Sequence, residues 1–135
     1  MIYRQTRLTR VIEVTLEPGE RLPEALLELA RWEKVDAARV RGHGLLASAE
    51  LQSGGERHAL EGPIEVESLL GLVRVGGDRA EAELHAVLVR TGGGGPELRA
   101  GALVAARAER LALVLDVLDD TALEWSFDPA TGRRR

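Results

Sequence analysis

The stretch Ala82-Glu83-Leu84-His85-Ala86-Val87-Leu88-Val89 leads into the glycine run Gly92 to Gly95. The chain then continues through Pro96-Glu97-Leu98-Arg99-Ala100-Gly101 to Ala102-Leu103-Val104-Ala105-Ala106-Arg107-Ala108-Glu109. This passage decides how the rest is read. Side chains two apart on a strand share a face, so Glu83 and His85 point the same way. Two strands joined by a tight glycine loop bring Glu97 or Glu109 toward them. A carboxylate–imidazole cluster of that kind can hold a metal or move a proton. A row of solvated polar side chains is the plainer reading of the same residues.

Outward from this passage, the chain alternates strand patterns with glycine turns. Val11 to Leu16 is β-branched and alternating, a strand pattern, and the residues from Ile2 to Arg10 alternate poorly. Glu17-Pro18-Gly19-Glu20 is a turn. A helix is expected over about 22–34, with Pro23 in its first turn and Leu22, Ala25, Leu26, Leu29 and Ala30 on one face. Ala37 to Gln52 reads as a strand interrupted at Gly42-His43-Gly44, where two glycines suggest a bulge or a close backbone approach. His43 is a candidate site residue there, although a turn histidine in water is the plainer reading.

Arg57 to Glu61 is expected to be a short strand, and Gly62-Pro63 to break the chain. Ile64 to Val75 and Leu98 to Arg107 are further strands, although Val66 to Leu70 would also tolerate helix, and the apolar run Leu111 to Leu118 is a buried central one. Leu123 to Phe127 is expected to be a last short strand, before a flexible basic tail over about 129–135. Many strands, one clear helix and glycine hairpins give an α+β fold, a single domain over 1–135 with a mostly antiparallel sheet flanked by that helix.

Composition narrows the function classes. A length of 135 residues suits one domain, and 3% aromatic residues leave the core to Leu, Val and Ala. No run is apolar enough to span a membrane, the N-terminus lacks a signal-peptide core, and there is no cysteine. These features lead us to expect a cytoplasmic protein. Arg4, Arg7 and Arg10 open the chain and Arg133 to Arg135 close it, around an acidic body with a net charge of −4 overall. A nucleic-acid-binding face needs a basic stripe, so direct DNA binding is not expected. The serines lack a Gly-x-Ser-x-Gly context, and the glycine run is not followed by Lys-Ser/Thr, which argues against a hydrolase or a phosphate loop.

The chain resembles the PPC (plants and prokaryotes conserved) domain family, in its bacterial stand-alone form. Four segments carry the resemblance: Leu16-Glu17-Pro18-Gly19-Glu20 before the helix; Ala37 to Gly44; Glu83-Leu84-His85-Ala86 with the glycine loop, Leu98-Arg99-Ala100-Gly101 and Ala108-Glu109; and Phe127-Asp128-Pro129-Ala130-Thr131-Gly132. The resemblance implies an antiparallel sheet flanked by helix and assembly as a homotrimer. It also implies a binding or regulatory role, DNA-associated through protein partners, with no catalysis of its own. The Arg-Gly-Arg-Pro segment of an AT-hook is missing.

The family often shows His-x-His where this chain has Glu83-Leu84-His85, and Gly-Gly-His-Leu where it has Gly95-Pro96-Glu97-Leu98. Three histidines would resemble the zinc site of acetolactate decarboxylase, whose fold is similar. The Glu83, His85 and Glu97 set therefore gives an alternative function, a metal-dependent enzyme or small-molecule binder using zinc, manganese or magnesium. His43, Glu109 and Arg41 are further site candidates, with Glu109 expected to pair with Arg107 or Arg41.

Overall fold

The computed structural model describes residues 1–92 and 94–118. The elements run in the order β1 (Leu8–Leu16), β2 (Arg21–Leu22), α1 (Glu24–Trp32), β3 (Ala37–Ser53), β4 (Glu56–Gly76), β5 (Arg79–Gly92) and β6 (Gly95–Leu118). All strand pairings are antiparallel. The expectation of a mostly antiparallel α+β fold holds, with strands far outweighing the helix. The last strand expected over Leu123 to Phe127 and the basic tail lie outside the described residues.

The sheet closes on itself because β6 is long enough to use both of its edges. One edge pairs with β3 from Ala102 to Leu118. The other pairs in succession with β5 through Ala102, with β2 at Ala106 and Arg107, and with β1 from Leu111 onward. Since β3 pairs β4 and β4 pairs β5, the order β6–β3–β4–β5–β6 forms a barrel. Closure pairs both sides of most of β3, much of β4 and the middle of β5, while β1 and residues 79–84 of β5 each have a ladder on one side only.

Two expected breaks turn out to be bulges. Gly62-Pro63 does not end a strand: β4 runs through it, and the pairing with β3 skips from Ser48↔Glu61 to Leu46↔Ile64 at that point. Proline has no N–H to give a ladder, and a bulge is where a strand tolerates it. Likewise the segments expected as separate strands, Leu98 to Arg107 and Leu111 to Leu118, are one strand, with an irregularity opposite Leu45 and Leu46. The Leu111–Leu118 run is central, between β1 and β3. It alternates between fully buried Leu111, Leu113, Leu115 and Val117 and half-buried intervening residues.

The helix is shorter than expected at both ends. Leu22 belongs to β2, paired with Ala106, and Pro23 is the N-cap. At the other end Lys34 takes a left-handed conformation (φ 55°), the helix-terminating role usually given to glycine. Val35 then donates its N–H to the Ala30 carbonyl at 2.8 Å and enters the core. Leu26 and Ala30 point into the barrel, where they join Leu46, Leu69, Leu88, Leu111, Leu113 and Leu115. The core is built from Leu, Val, Ala and Ile64, as the low aromatic content requires, and Trp32 is 80% exposed. No helix among the described residues is long and apolar enough to cross a membrane.

Gly42-His43-Gly44 stays in regular register with β6, and the bulge at this point belongs to β4, around Glu67, so of the two readings of the glycines it is the close backbone approach that the structure shows. Gly44 has φ +138°, and a Cβ there would lie 2.3 Å from the Arg110 carbonyl oxygen. Gly44→Ala is expected to destabilise the protein by about 1–3 kcal/mol in urea unfolding. Gly76→Ala, where a Cβ meets nothing within 4 Å, is expected to stay within about 0.5 kcal/mol of the parent. Equal losses at the two positions would show that the close approach of β3 to β6 carries no strain.

Candidate functional site

The alternation of each strand divides its residues between the barrel interior and the outside. In β5, Leu84, Ala86 and Leu88 are buried, so Glu83 and His85 project outward. In β3, Ala38 and Val40 are buried, so Arg39, Arg41 and His43 project outward. Register then sets these residues in rows, because directly paired residues share a face. One row reads Glu13, Val114, Arg41, Leu70, His85 across β1, β6, β3, β4 and β5. The next reads Val11, Asp116, Arg39, Leu72, Glu83. His43 stands one row on, beside Ala112 and Thr15.

Four of the sequence candidates, Arg41, His43, Glu83 and His85, therefore share one outer face. Glu83 Oε1 lies 3.9 Å from His85 Nε2, with both side chains well exposed. Arg41 is separated from His85 by Leu70 and pairs with Asp116 at 3.6 Å. The face also carries apolar side chains in solvent: Leu70 is 59% exposed, Leu72 39% and Val11 49%. The sequence expectation for Ile64 to Val75, a strand whose Val66 to Leu70 segment also tolerates helix, assigns no faces and does not single out these leucines. The signal was present in the sequence, since Leu69 and Leu70 are adjacent and only one of two neighbours on a strand can face inward.

Glu97 is not part of this group. The β5–β6 hairpin aligns Gly92 with Gly95, which pairs Glu97 with Arg90 and puts His85 opposite Ala102. Arg90 falls on the same alternation as Leu88 and Ala86, so Glu97 lies on the opposite face from His85. There it accepts hydrogen bonds from Arg90 Nη2 at 2.6 Å and from Arg99 Nε at 2.9 Å. The expected Glu83, His85 and Glu97 set does not come together within one subunit, and its residues do not fit a shared metal there. Among the described residues no group of three or more His, Asp or Glu is placed to hold a metal. Glu109 is exposed and pairs with neither Arg107 nor Arg41 among the described residues. Counting outward from the glycine turn would have matched Glu97 with Arg90.

The hydrogen bonds from Arg90 and Arg99 hold the Glu97 carboxyl below its ordinary value of 4.5. A carboxylate whose folded pKa is depressed adds stability above its unfolded pKa, and that stability is lost as pH falls through the folded value. Glu97→Gln is therefore expected to be less stable than the parent at pH 7. The difference should begin to shrink below about pH 4.5 and vanish once Glu97 is protonated in the folded parent. Urea unfolding of both proteins at pH 7 and at acid pH checks this, and a difference that persists unchanged in acid would remove the ion triad as its cause.

With the geometry established, comparison with known proteins places the chain. A model of the Plants and Prokaryotes Conserved (PCC) domain matches residues 3–117. Among solved structures, a metal-containing protein from Archaeoglobus fulgidus is similar at a TM-score of 0.77 and 22% identity, over 100% of this chain and 98% of that one. A plant- and prokaryote-conserved (PPC) protein from Pyrococcus horikoshii is similar at 0.74 and 21%, over 88% of this chain and 85% of that one. A protein from Bacteroides thetaiotaomicron, proposed to bind DNA, is similar at 0.72 and 14%, over 99% and 95%. At these identities the likeness is one of fold. No curated protein matches in sequence. The family match runs through β1 and almost to the end of β6, and on that ground the chain belongs to the Plants and Prokaryotes Conserved (PCC) domain family.

Proposed function

We propose that the chain is a self-assembling binding module, a homotrimer that acts through protein partners rather than by chemistry of its own. The observation that carries this reading is the outer sheet face. The solvated face of an antiparallel sheet is normally polar. Here Val11, Leu70 and Leu72 stand in solvent, beside half-buried Val114, with Arg39, Arg41, Asp116 and Glu83 among them. An apolar centre with interspersed charges of both signs suits a self-complementary interface. Any association with DNA in this reading runs through partners, since the body of the chain is acidic.

The wild type is expected to sediment at three times the 14.6 kDa chain mass. Leu70→Glu/Leu72→Glu is expected to sediment as a monomer with an unchanged far-UV circular dichroism spectrum, because both side chains point away from the core. A trimer in the double variant would move the interface elsewhere, and a monomeric wild type would end the assembly reading.

A second reading keeps the metal. Glu83 and His85 supply two donors 3.9 Å apart on this same face, so an interface between copies would bring such pairs together. This differs from the single-subunit site that resembled acetolactate decarboxylase, because Glu97 takes no part. Protein purified without chelator is expected to retain zinc or manganese, and Glu83→Ala/His85→Ala to lose it, in elemental analysis. Glu97→Ala is expected to keep the metal. Equal metal content in wild type and double variant would dismiss the pair as ligands.

A further inference from the structure

Further along the same strands, four elements each contribute one polar residue to a single transverse row. Arg21 of β2 pairs with Arg107 of β6, Arg107 with Ser48 of β3, and Ser48 with Glu61 of β4. The adjacent row, Leu22, Ala106, Ala49 and Leu60, is buried in the core. Alternation therefore turns the polar row outward. That row lines a cleft of about 430 Å³, inside the range of roughly 300–1,000 Å³ usual for small-ligand sites. The cleft lies where the register of β3 shifts against both neighbours between Leu46 and Ser48, with the extra residue on β4 on one side and on β3 itself on the other. Ala59 and Ala105, the two register partners of Glu50, keep its next row low.

Its charges are arranged unusually. Arg21 and Arg107 are direct cross-strand partners, and like charges in that position repel. Neither makes an ion pair or hydrogen bond among the described residues, so both keep open donors, as several exposed arginines elsewhere on the surface also do. Glu50 is already held by Arg57 at 3.3 Å. Glu24 and Glu61, also in the cleft lining, form no ion pair among the described residues. Two guanidinium groups with open donors match the oxygens of a carboxylate or phosphate, and such an anion would cancel their repulsion.

We infer that this cleft binds a small hydroxylated oxyanion. Its carboxylate or phosphate group seats between Arg21 and Arg107, the Ser48 hydroxyl donates to it, and a hydroxyl on the ligand donates to Glu61. The row lies within one subunit, so the inference does not depend on the assembly or metal readings.

The test is a titration of the isotope-labelled 135-residue chain with inorganic phosphate, with malate and with a short DNA duplex, read from amide chemical shifts. A saturable shift centred on Ser48, Ala105 and Arg107 is expected with malate or phosphate, and which of the two binds tighter identifies the head group. Arg21→Gln and Arg107→Gln are each expected to weaken that binding at least tenfold. Ser48→Ala should weaken it several-fold, and Arg74→Gln, exposed outside the cleft, should leave it unchanged. In buffer free of both anions, Arg107→Gln is expected to unfold at a higher temperature than the wild type, which also shows that the variant folds. The inference is overturned by the absence of a saturable shift with either small anion. It is also overturned by undiminished binding in Arg107→Gln, or by duplex DNA shifting the same amides at lower concentration than either anion.

Discussion

The pairing of β6 along both edges is the constraint on which the rest of this structure depends. A strand flanked on one side by β3 and on the other by β5, β2 and β1 in turn cannot slip without breaking several ladders together. A one-residue slip would also turn Leu111, Leu113, Leu115 and Val117 out of the core. The barrel thereby gains a fixed register from aliphatic packing among the described residues, with no cysteine in the chain to crosslink it. Its core of small and medium aliphatic side chains suits a narrow interior, and α1 contributes Leu26 and Ala30 to the same cluster.

Fixed register then dictates what the outside can do. With the interior filled by one alternation, the other alternation lines up Arg41, Leu70 and His85 in one row and Arg39, Leu72 and Glu83 in the next. None of these residues supports the core, so their identities are free to serve contact with something else. That each row sets a leucine, exposed to solvent, among charged and polar side chains is the physical basis for reading the face as an interface. Further along the strands, the bulge that lets β4 carry Pro63 falls opposite Leu46 to Ser48 of β3, beside the cleft lined by Arg21 and Arg107.

The role of Glu97 shows how a family pattern can mislead when side chains change. A glutamate stands where the resemblance leads one to look for a histidine, and the hairpin gives it two arginine neighbours. A carboxylate held by two guanidinium groups is stabilised as an anion, and each of its oxygens already accepts a hydrogen bond. The position is better described as an ion triad joining the ends of β5 and β6 than as a ligand waiting for a metal.

Much of this was legible in the sequence. The Val11–Leu16 strand, the Pro23-led helix, the close backbone approach at Gly42-His43-Gly44 and the aliphatic core all follow from local propensity, backbone freedom and composition, which a chain carries residue by residue. The hairpin around Gly92 to Gly95 also placed Glu83 and His85 on a common face, because strand alternation is a local rule. Tertiary structure decided the remainder: that Gly62-Pro63 and the Glu109 region are bulges within continuous strands, that Glu97 meets Arg90 instead of His85, that Leu70 and Leu72 face solvent, and that Arg21 stands opposite Arg107. Each of these depends on which distant strand supplies the partner and in what register. That choice is made by burial summed over the whole barrel, and no window of sequence contains it.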